Sequence, residues 1–271
     1  MKRPAWRIAD PESNGRSAPI SPYAPPALPA QAALLLDVDG TLLDIAPRPQ
    51  DAVAPAGLRD TLLRLSRVLD GALAFISGRP IADIDRLFAP LRLVAAGGHG
   101  AEIRSAAGGA IRQHVPALDR ALKLQFSRIA ALGAGIIVED KDYSIALHYR
   151  LAPELGGAVM NAVVDIAERA GGEALEILPG KSVIEVKPRG FDKGSGLRHL
   201  MAQAPFAGRK PVFVGDDITD HAAFRALPEF GGVGFSVGGL VPGASFNFDG
   251  PDHVRRWLEH LRRDENGAAP S

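Results

Sequence analysis

The chain contains no cysteine. Disulfides, thiolate metal sites and cysteine nucleophiles are therefore excluded. It also lacks a charge bias. Lys plus Arg number 31 and Asp plus Glu number 31, so the formal net charge is zero. A protein that holds nucleic acid or an anionic membrane surface through bulk charge carries an excess of one sign, so neither partner is expected. No apolar run approaches the ~20 residues of a membrane span. Lys2, Arg3 and Arg7 lead into no apolar stretch, so a secretory leader is not expected and the cytoplasm is the default. What is present is 46% hydrophobic residues in 271 positions, enough for a globular protein with a sizeable core.

Residues 1–30 carry Pro19, Pro22, Pro25, Pro26 and Pro29 and read as a flexible tail. Residues 264–271 read as a second tail. Between them, strands alternate with helices. Strands are expected at 34–37, 73–76, 91–95, 211–214 and 233–237, and helices at 55–69, from Pro80, and at 194–202, 219–227 and 252–262. The helix at 55–69 rests on Leu58, Leu62, Leu65 and Leu69 at helical spacing. This order predicts an α/β fold with a doubly wound, Rossmann-like parallel sheet, which binds ligands beyond the carboxyl ends of its strands. The middle differs. A helix at 117–132 and strands at 135–139 and 144–150 are followed by a helix at 153–170 and strands at 174–178 and 182–187. This repeated helix–strand–strand unit predicts a smaller α+β domain over 111–186, inserted into a core formed by 31–110 and 187–263. Gly108-Gly109 and Pro188-Arg189-Gly190 are the expected joints.

The most telling segment is Asp37-Val38-Asp39-Gly40-Thr41, directly after the apolar run Ala32–Leu36. Residues two apart on an extended chain face the same way, so Asp37 and Asp39 share one small site. Carboxylates that close resist joint ionisation, so a cation or a shared proton is implied. Gly40 lets a ligand approach the backbone, and Thr41 offers a hydroxyl to an anion. Further polar motifs follow strands or precede helices: Ser77-Gly78-Arg79, Asp192-Lys193-Gly194 and Gly215-Asp216-Asp217-Ile218-Thr219-Asp220. Gly180-Lys181-Ser182 is not a P-loop, because Leu175 stands where the first glycine is needed.

In order and spacing these four motifs resemble the haloacid dehalogenase superfamily of phosphatases. The resemblance implies Asp37 as nucleophile, Asp39 as general acid/base, and Ser77 and Lys193 as phosphate holders, with Thr41 beside them. It implies Mg2+ held by Asp37, Asp216 and a backbone carbonyl near Asp39, with Asp217 close by. The insertion lies where that superfamily places its C2-type cap. Four further segments narrow the resemblance to trehalose-6-phosphate phosphatases. They are Gly97-Gly98-His99-Gly100-Ala101-Glu102, His148-Tyr149-Arg150, Gly180-Lys181-Ser182-Val183-Ile184-Glu185-Val186 and the Lys193 segment. That family implies a small-molecule substrate, trehalose 6-phosphate, gripped by Glu139, Lys141, Arg150, Lys181 and Glu185, with Gly78 and Arg79 beside the phosphate. A monomer is expected. The catalytic motifs do not separate this substrate from a sucrose or mannosylglycerate phosphate, and a non-catalytic sensor on the same fold is the remaining alternative. Lys181, Glu185 and Lys187 alternate and could also be one solvated strand face. Packing or hydrogen-bonding roles are expected for His99 and His148.

Overall fold

The computed structural model describes residues 26–29, 31–171 and 174–261. The expected tails lie mostly outside these residues. Residues 26–29 do not behave as a free tail: Trp257 Nε1 donates to the Pro26 carbonyl at 3.0 Å, and Leu28 lies against the core.

The larger sheet is built on β1 (Ala32–Leu36), every residue of which is buried. Such a continuous apolar run marks a strand covered on both faces. β1 pairs in parallel with β2 (Leu73–Ile76) and with β10 (Lys210–Gly215). β3 (Val94–Gly97) extends one side in parallel, followed by the antiparallel β4 (Glu102–Arg104) and β5 (Arg112–Gln113). β11 (Val233–Val237) and β12 (Ala244–Phe248) extend the other side in parallel. The order of this eight-stranded sheet is β12-β11-β10-β1-β2-β3-β4-β5. From β1 the chain moves outward one way and later returns to the other side. The switch point therefore lies between β1 and β10, and ligands are expected beyond their carboxyl ends.

Helices α1 (Leu58–Val68), α2 (Ile81–Phe88), α5 (Lys193–Met201), α6 (His221–Ala226) and α7 (Pro251–His260) accompany this sheet. Leu58, Leu62 and Leu65 of α1 enter the same core as Val254 and Leu258 of α7. Arg64 of α1 ties the pair by donating to the carbonyls of Leu258 and Leu261 at 2.8 and 2.7 Å.

A separate four-stranded antiparallel sheet has the order β6-β7-β9-β8, from β6 (Ile137–Asp140), β7 (Ile145–His148), β8 (Leu175–Gly180) and β9 (Val183–Pro188). Helices α3 (Arg120–Ser127) and α4 (Gly156–Arg169) precede its two strand pairs. Ile145, Leu147, Ile184 and Val186 join Phe126, Val159 and Val163 in a second core. Side chains alternate along a strand, so Ala146, Glu185 and Lys187 point to the other face. The solvated-face expectation fails there. β9 is paired on both sides, and Glu185 and Lys187 are buried.

Three expectations about boundaries change. The larger sheet includes Arg112–Gln113, past the expected limit of the first core segment at 110, and β9, expected at 182–187, runs over Val183–Pro188, past the expected limit of the inserted domain at 186. Gly108-Gly109 lies between the paired strands β4 and β5, inside the larger sheet, so it is not the joint. The strand expected at 91–95 starts at Val94, and β4, β5 and β12 were not anticipated.

Candidate active site

The carboxyl ends of β1 and β10 bring Asp37 and Asp216 together. Gly40 makes this possible. Its φ of 77° is left-handed, and a β-carbon there would collide with the Asp216 carboxylate. Asp37, Asp216 and Asp220 each offer an oxygen within 4.8 Å of the others. Asp220 is fully buried, and its Oδ2 accepts the backbone N–H groups of Asp216 (2.8 Å) and Asp217 (2.9 Å).

Lys193 reaches this cluster from the first turn of α5. Asp192 caps that helix: its Oδ1 accepts the Ser195 N–H at 2.7 Å, which fixes where Lys193 starts. Lys193 Nζ donates to Asp37 Oδ1 at 2.7 Å and to Asp220 Oδ1 at 2.6 Å. Burial pushes the ammonium down, but the Asp220 and Asp37 charges outweigh it and hold it well above its ordinary value. Burial pushes Asp37 well above the usual carboxylate range, Lys193 opposes this, and Asp220 and Asp216 add to it. Asp216 is raised by the same burial and by Asp220, against Lys181 and Lys193. The donor set is all hard oxygen, and one buried lysine is shared between two of the three carboxylates. A divalent cation fits that deficit of positive charge.

The Ser77-Gly78-Arg79 segment follows β2 and enters α2. Glu102 caps α2 by accepting the Ile81 N–H at 2.7 Å. Ser77 Oγ is buried and accepts the Arg79 N–H at 3.2 Å. Arg79 closes a two-pronged pair on Asp39, with Nε at 2.6 Å and Nη2 at 2.7 Å from its oxygens.

The polar face of the smaller sheet stands over this floor. Lys141 Nζ donates to Glu185 Oε2 (2.9 Å) and to the Gly78 carbonyl (3.1 Å). Glu139 pairs with His148 Nε2 at 2.9 Å. Lys181 Nζ sits 2.5 Å from Asp216 Oδ2, and Arg150 Nη2 donates to the Lys181 carbonyl at 2.5 Å. A cavity of about 180 Å³ lies between the layers. Asp37, Asp39, Ser77, Gly78, Arg79, Glu139, Lys141, Arg150, Lys181, Glu185, Lys193, Asp216 and Asp217 all line it, together with the Ile45–Arg48 segment.

Three placements differ from the sequence expectation. Thr41 is fully buried behind Asp216, 3.5 Å from its Oδ1, and does not face the cavity. Asp217 lies outside the acidic cluster; its Oδ1 accepts the N–H of Ile218 at 2.6 Å, and Asp220 takes the place expected for it. The Asp39 side chain belongs to Arg79 and not to that cluster. Glu185 lines the cavity as expected and accepts from Ser144, Lys141 and His99. Asp220 was missed because an Asp near a helix start is ordinary. The four-residue step from Asp216 was the signal that could have found it.

Comparison with known proteins agrees with this geometry. A family model described as trehalose-phosphatase matches residues 35–240. The trehalose-6-phosphate phosphatase of Escherichia coli K12 is 40% identical over 237 residues, covering 87% of this chain and 88% of that protein. A probable trehalose-phosphate phosphatase of Sinorhizobium fredii is 39% identical over 210 residues, covering 78% and 79%. The C-terminal domain of the C. albicans trehalose-6-phosphate phosphatase superposes with a TM-score of 0.74 at 22% identity, covering 84% of this chain and 91% of that one, which supports the shared fold. The chain therefore belongs to the trehalose-phosphatase family, phosphoric monoester hydrolases built on a haloacid dehalogenase-type fold.

Proposed function

We propose that this enzyme hydrolyses trehalose 6-phosphate through a phosphorylated Asp37, with Mg2+ as cofactor. The observation that carries the reading is the buried Asp37–Lys193–Asp220 chain beside Asp216, at the switch point of the sheet and under a second polar layer. The free oxygen of Asp37 attacks phosphorus, and the bond from phosphorus to the sugar oxygen breaks. Asp39 is the proton donor to that oxygen, which requires it to turn away from Arg79. It then accepts a proton from water, whose oxygen attacks the aspartyl-phosphate and releases phosphate and Asp37. Lys193 and the Ser77 hydroxyl stand where charge spreads over the transferred group.

Asp37 and Asp216 are the side chains that would hold Mg2+, while both oxygens of Asp220 are committed to Lys193 and the backbone. When bound, the cation offsets repulsion between the phosphate dianion and the carboxylates. A cation held by Asp216 would take the place of its pair with Lys181, and Lys181 with Glu139, Lys141, Arg150 and Glu185 forms the sugar-facing set of the smaller domain, which acts as the cap. Among the described residues no helix is long and apolar enough to cross a membrane.

The decisive experiment is phosphate release from trehalose 6-phosphate, sucrose 6-phosphate, mannosylglycerate phosphate and an aryl phosphate, with Mg2+ and with excess chelator. A preference of tenfold or more for trehalose 6-phosphate, lost in chelator, is expected. Equal turnover of all four, or none of the first, overturns the substrate assignment.

A further inference from the structure

Lys187 takes no part in the chemistry above, yet only 1% of its side chain is exposed. It stands near the end of β9, directly opposite Glu176 of β8. Its Nζ donates to Glu176 Oε2 at 2.5 Å and to the carbonyl of Phe191, and it lies 4.2 Å from the centre of the Phe191 ring. Taking a charge out of water is costly, and an apolar side chain would fill this place more easily. What lysine adds is a set of N–H donors at the end of a long stem. That stem reaches past the turn at Pro188-Arg189-Gly190, where Gly190 takes a left-handed φ of 105°, to the backbone at the entrance to α5.

The contact falls on one peptide group. The oxygen of the Phe191–Asp192 peptide accepts from Lys187, and its N–H donates to Ser195 Oγ at 3.0 Å. Asp192 is the cap of α5, and Lys193 is the first residue of that helix. The Phe191 ring is itself fixed, edge-on to Tyr143 with centroids 6.2 Å apart and beside Ala101. The start of α5 has no room to shift. A β-carbon at Gly194 would stand 2.5 Å from the Ala222 carbonyl, and one at Gly100 would stand 2.6 Å from the Asp192 carbonyl. The peptide in front of the helix must therefore arrive in one orientation. Lys193 depends on it, because its Nζ meets Asp37 and Asp220 together, at 2.7 and 2.6 Å.

We infer that Lys187 is a positioning residue for Lys193: by fixing the Phe191–Asp192 peptide it sets the start of α5 and, through it, the ammonium that holds the phosphate. This rests on the reading of Lys193 as a phosphate holder. Lys187 does not line the cavity, so it acts through the backbone and not by touching substrate. A displacement of about 1 Å at a group of this kind costs about 100-fold in rate. The loss falls on kcat, because Lys193 stands where charge spreads in the transition state.

The test uses the full chain with Mg2+. Lys187→Met keeps the length of the stem and its packing on the Phe191 ring but removes every donor, and it leaves Glu176, 37% exposed, to water. Glu176→Gln removes the ion pair and leaves the contact between Lys187 and the Phe191 carbonyl in place. kcat and KM are measured on trehalose 6-phosphate and on an aryl phosphate. Amide hydrogen exchange is followed at Ser195 and Gly196, whose N–H groups bind Asp192. In Lys187→Met, kcat should fall about 100-fold on both substrates, with KM within about threefold and exchange at the two amides raised about tenfold or more. Glu176→Gln should stay within about threefold of wild type in kcat and in exchange. An undiminished kcat in Lys187→Met overturns the inference, as do a loss confined to the sugar phosphate, unchanged exchange, or an equal loss of kcat in Glu176→Gln. Should Lys187→Met not fold, Ser195→Ala decides, because it frees the other end of the same peptide: a kcat loss of about tenfold or more at unchanged KM supports the inference, and a kcat within about threefold of wild type overturns it. Should the wild type leave trehalose 6-phosphate untouched, the substrate reading fails, and the aryl phosphate and the exchange data still decide the role of Lys187.

Discussion

Replacing Asp220 with Asn separates a carboxylate that anchors Lys193 from one that binds metal. Asn keeps one oxygen for the backbone N–H groups of Asp216 and Asp217 but turns an amide donor toward the Lys193 ammonium. Lys193 is 3% exposed and Asp220 is at 0%, so water does not replace the lost partner. Removing one member of a buried pair costs about 3–5 kcal/mol. For a domain of this size each kcal/mol moves the melting temperature by about 2–4 °C, so a fall of roughly 6–20 °C is expected. Lys193 also keeps only Asp37 and pulls harder on it, so turnover should drop as well. The assay is thermal unfolding of wild type and variant, each with Mg2+ and in excess chelator. If Asp220 acts through Lys193, the difference persists in chelator. If it acts by holding metal, the difference vanishes there, because the wild type loses the same contact. A shift under 2 °C in both conditions would refute the buried pair itself.

Asp37→Asn should lower kcat by at least about a thousandfold while the protein stays folded by circular dichroism, since it removes the attacking charge and one like charge from a crowded cluster. Activity within tenfold of wild type would eliminate Asp37 as nucleophile. Chelation should abolish phosphate release and Mg2+ should restore it, whereas Ca2+, with its longer and looser coordination, should not; turnover in excess chelator contradicts the cluster assignment. Arg150→Ala should reduce kcat/KM on trehalose 6-phosphate about tenfold and leave an aryl phosphate unchanged, and equal losses would place Arg150 in the fold instead. Glu185 has a depressed folded-state pKa, so its stabilisation is fully present above the ordinary value of 4.5 and is lost as pH falls below it. Urea midpoints from pH 6 to pH 3 should therefore fall less steeply in Glu185→Gln than in wild type, and parallel curves would refute the ionised, buried carboxylate.

The parts of the fold that could be read in advance carried their signal locally. β2 and β11 fall at 73–76 and 233–237 as expected, because short apolar runs bounded by turn residues identify buried parallel strands. The two helix–strand–strand units were legible from apolar stretches separated by turn residues at 140–143, 171–172 and 179–180. β4 and β5, three and two residues long, carry too little pattern to be seen. Without them Gly108-Gly109 looked like a joint between domains instead of a turn within one. β12, reading Ala-Ser-Phe-Asn-Phe, has the alternation of a half-buried strand.

Side-chain partners were less legible, because they join segments far apart in sequence. The spacing of Asp37 and Asp39 suggested one shared site. In the structure Asp37 faces Lys193, 156 residues away, while Asp39 is taken by Arg79, 40 residues away. The same holds across the two layers, where Lys141 meets Glu185 and Lys181 meets Asp216. A net charge of zero is a sum and is silent about location. Here the balance is struck pair by pair around one cavity. Asp37, Asp39, Glu139, Glu185 and Asp216 each hold a cation or a histidine, and each of these contacts is one that an incoming charged group must displace or join. The free energy of exchanging partners, set by burial and distance, decides how the site responds to substrate. It becomes visible only once the chain has brought the ends of β1 and β10 under the polar face of β9.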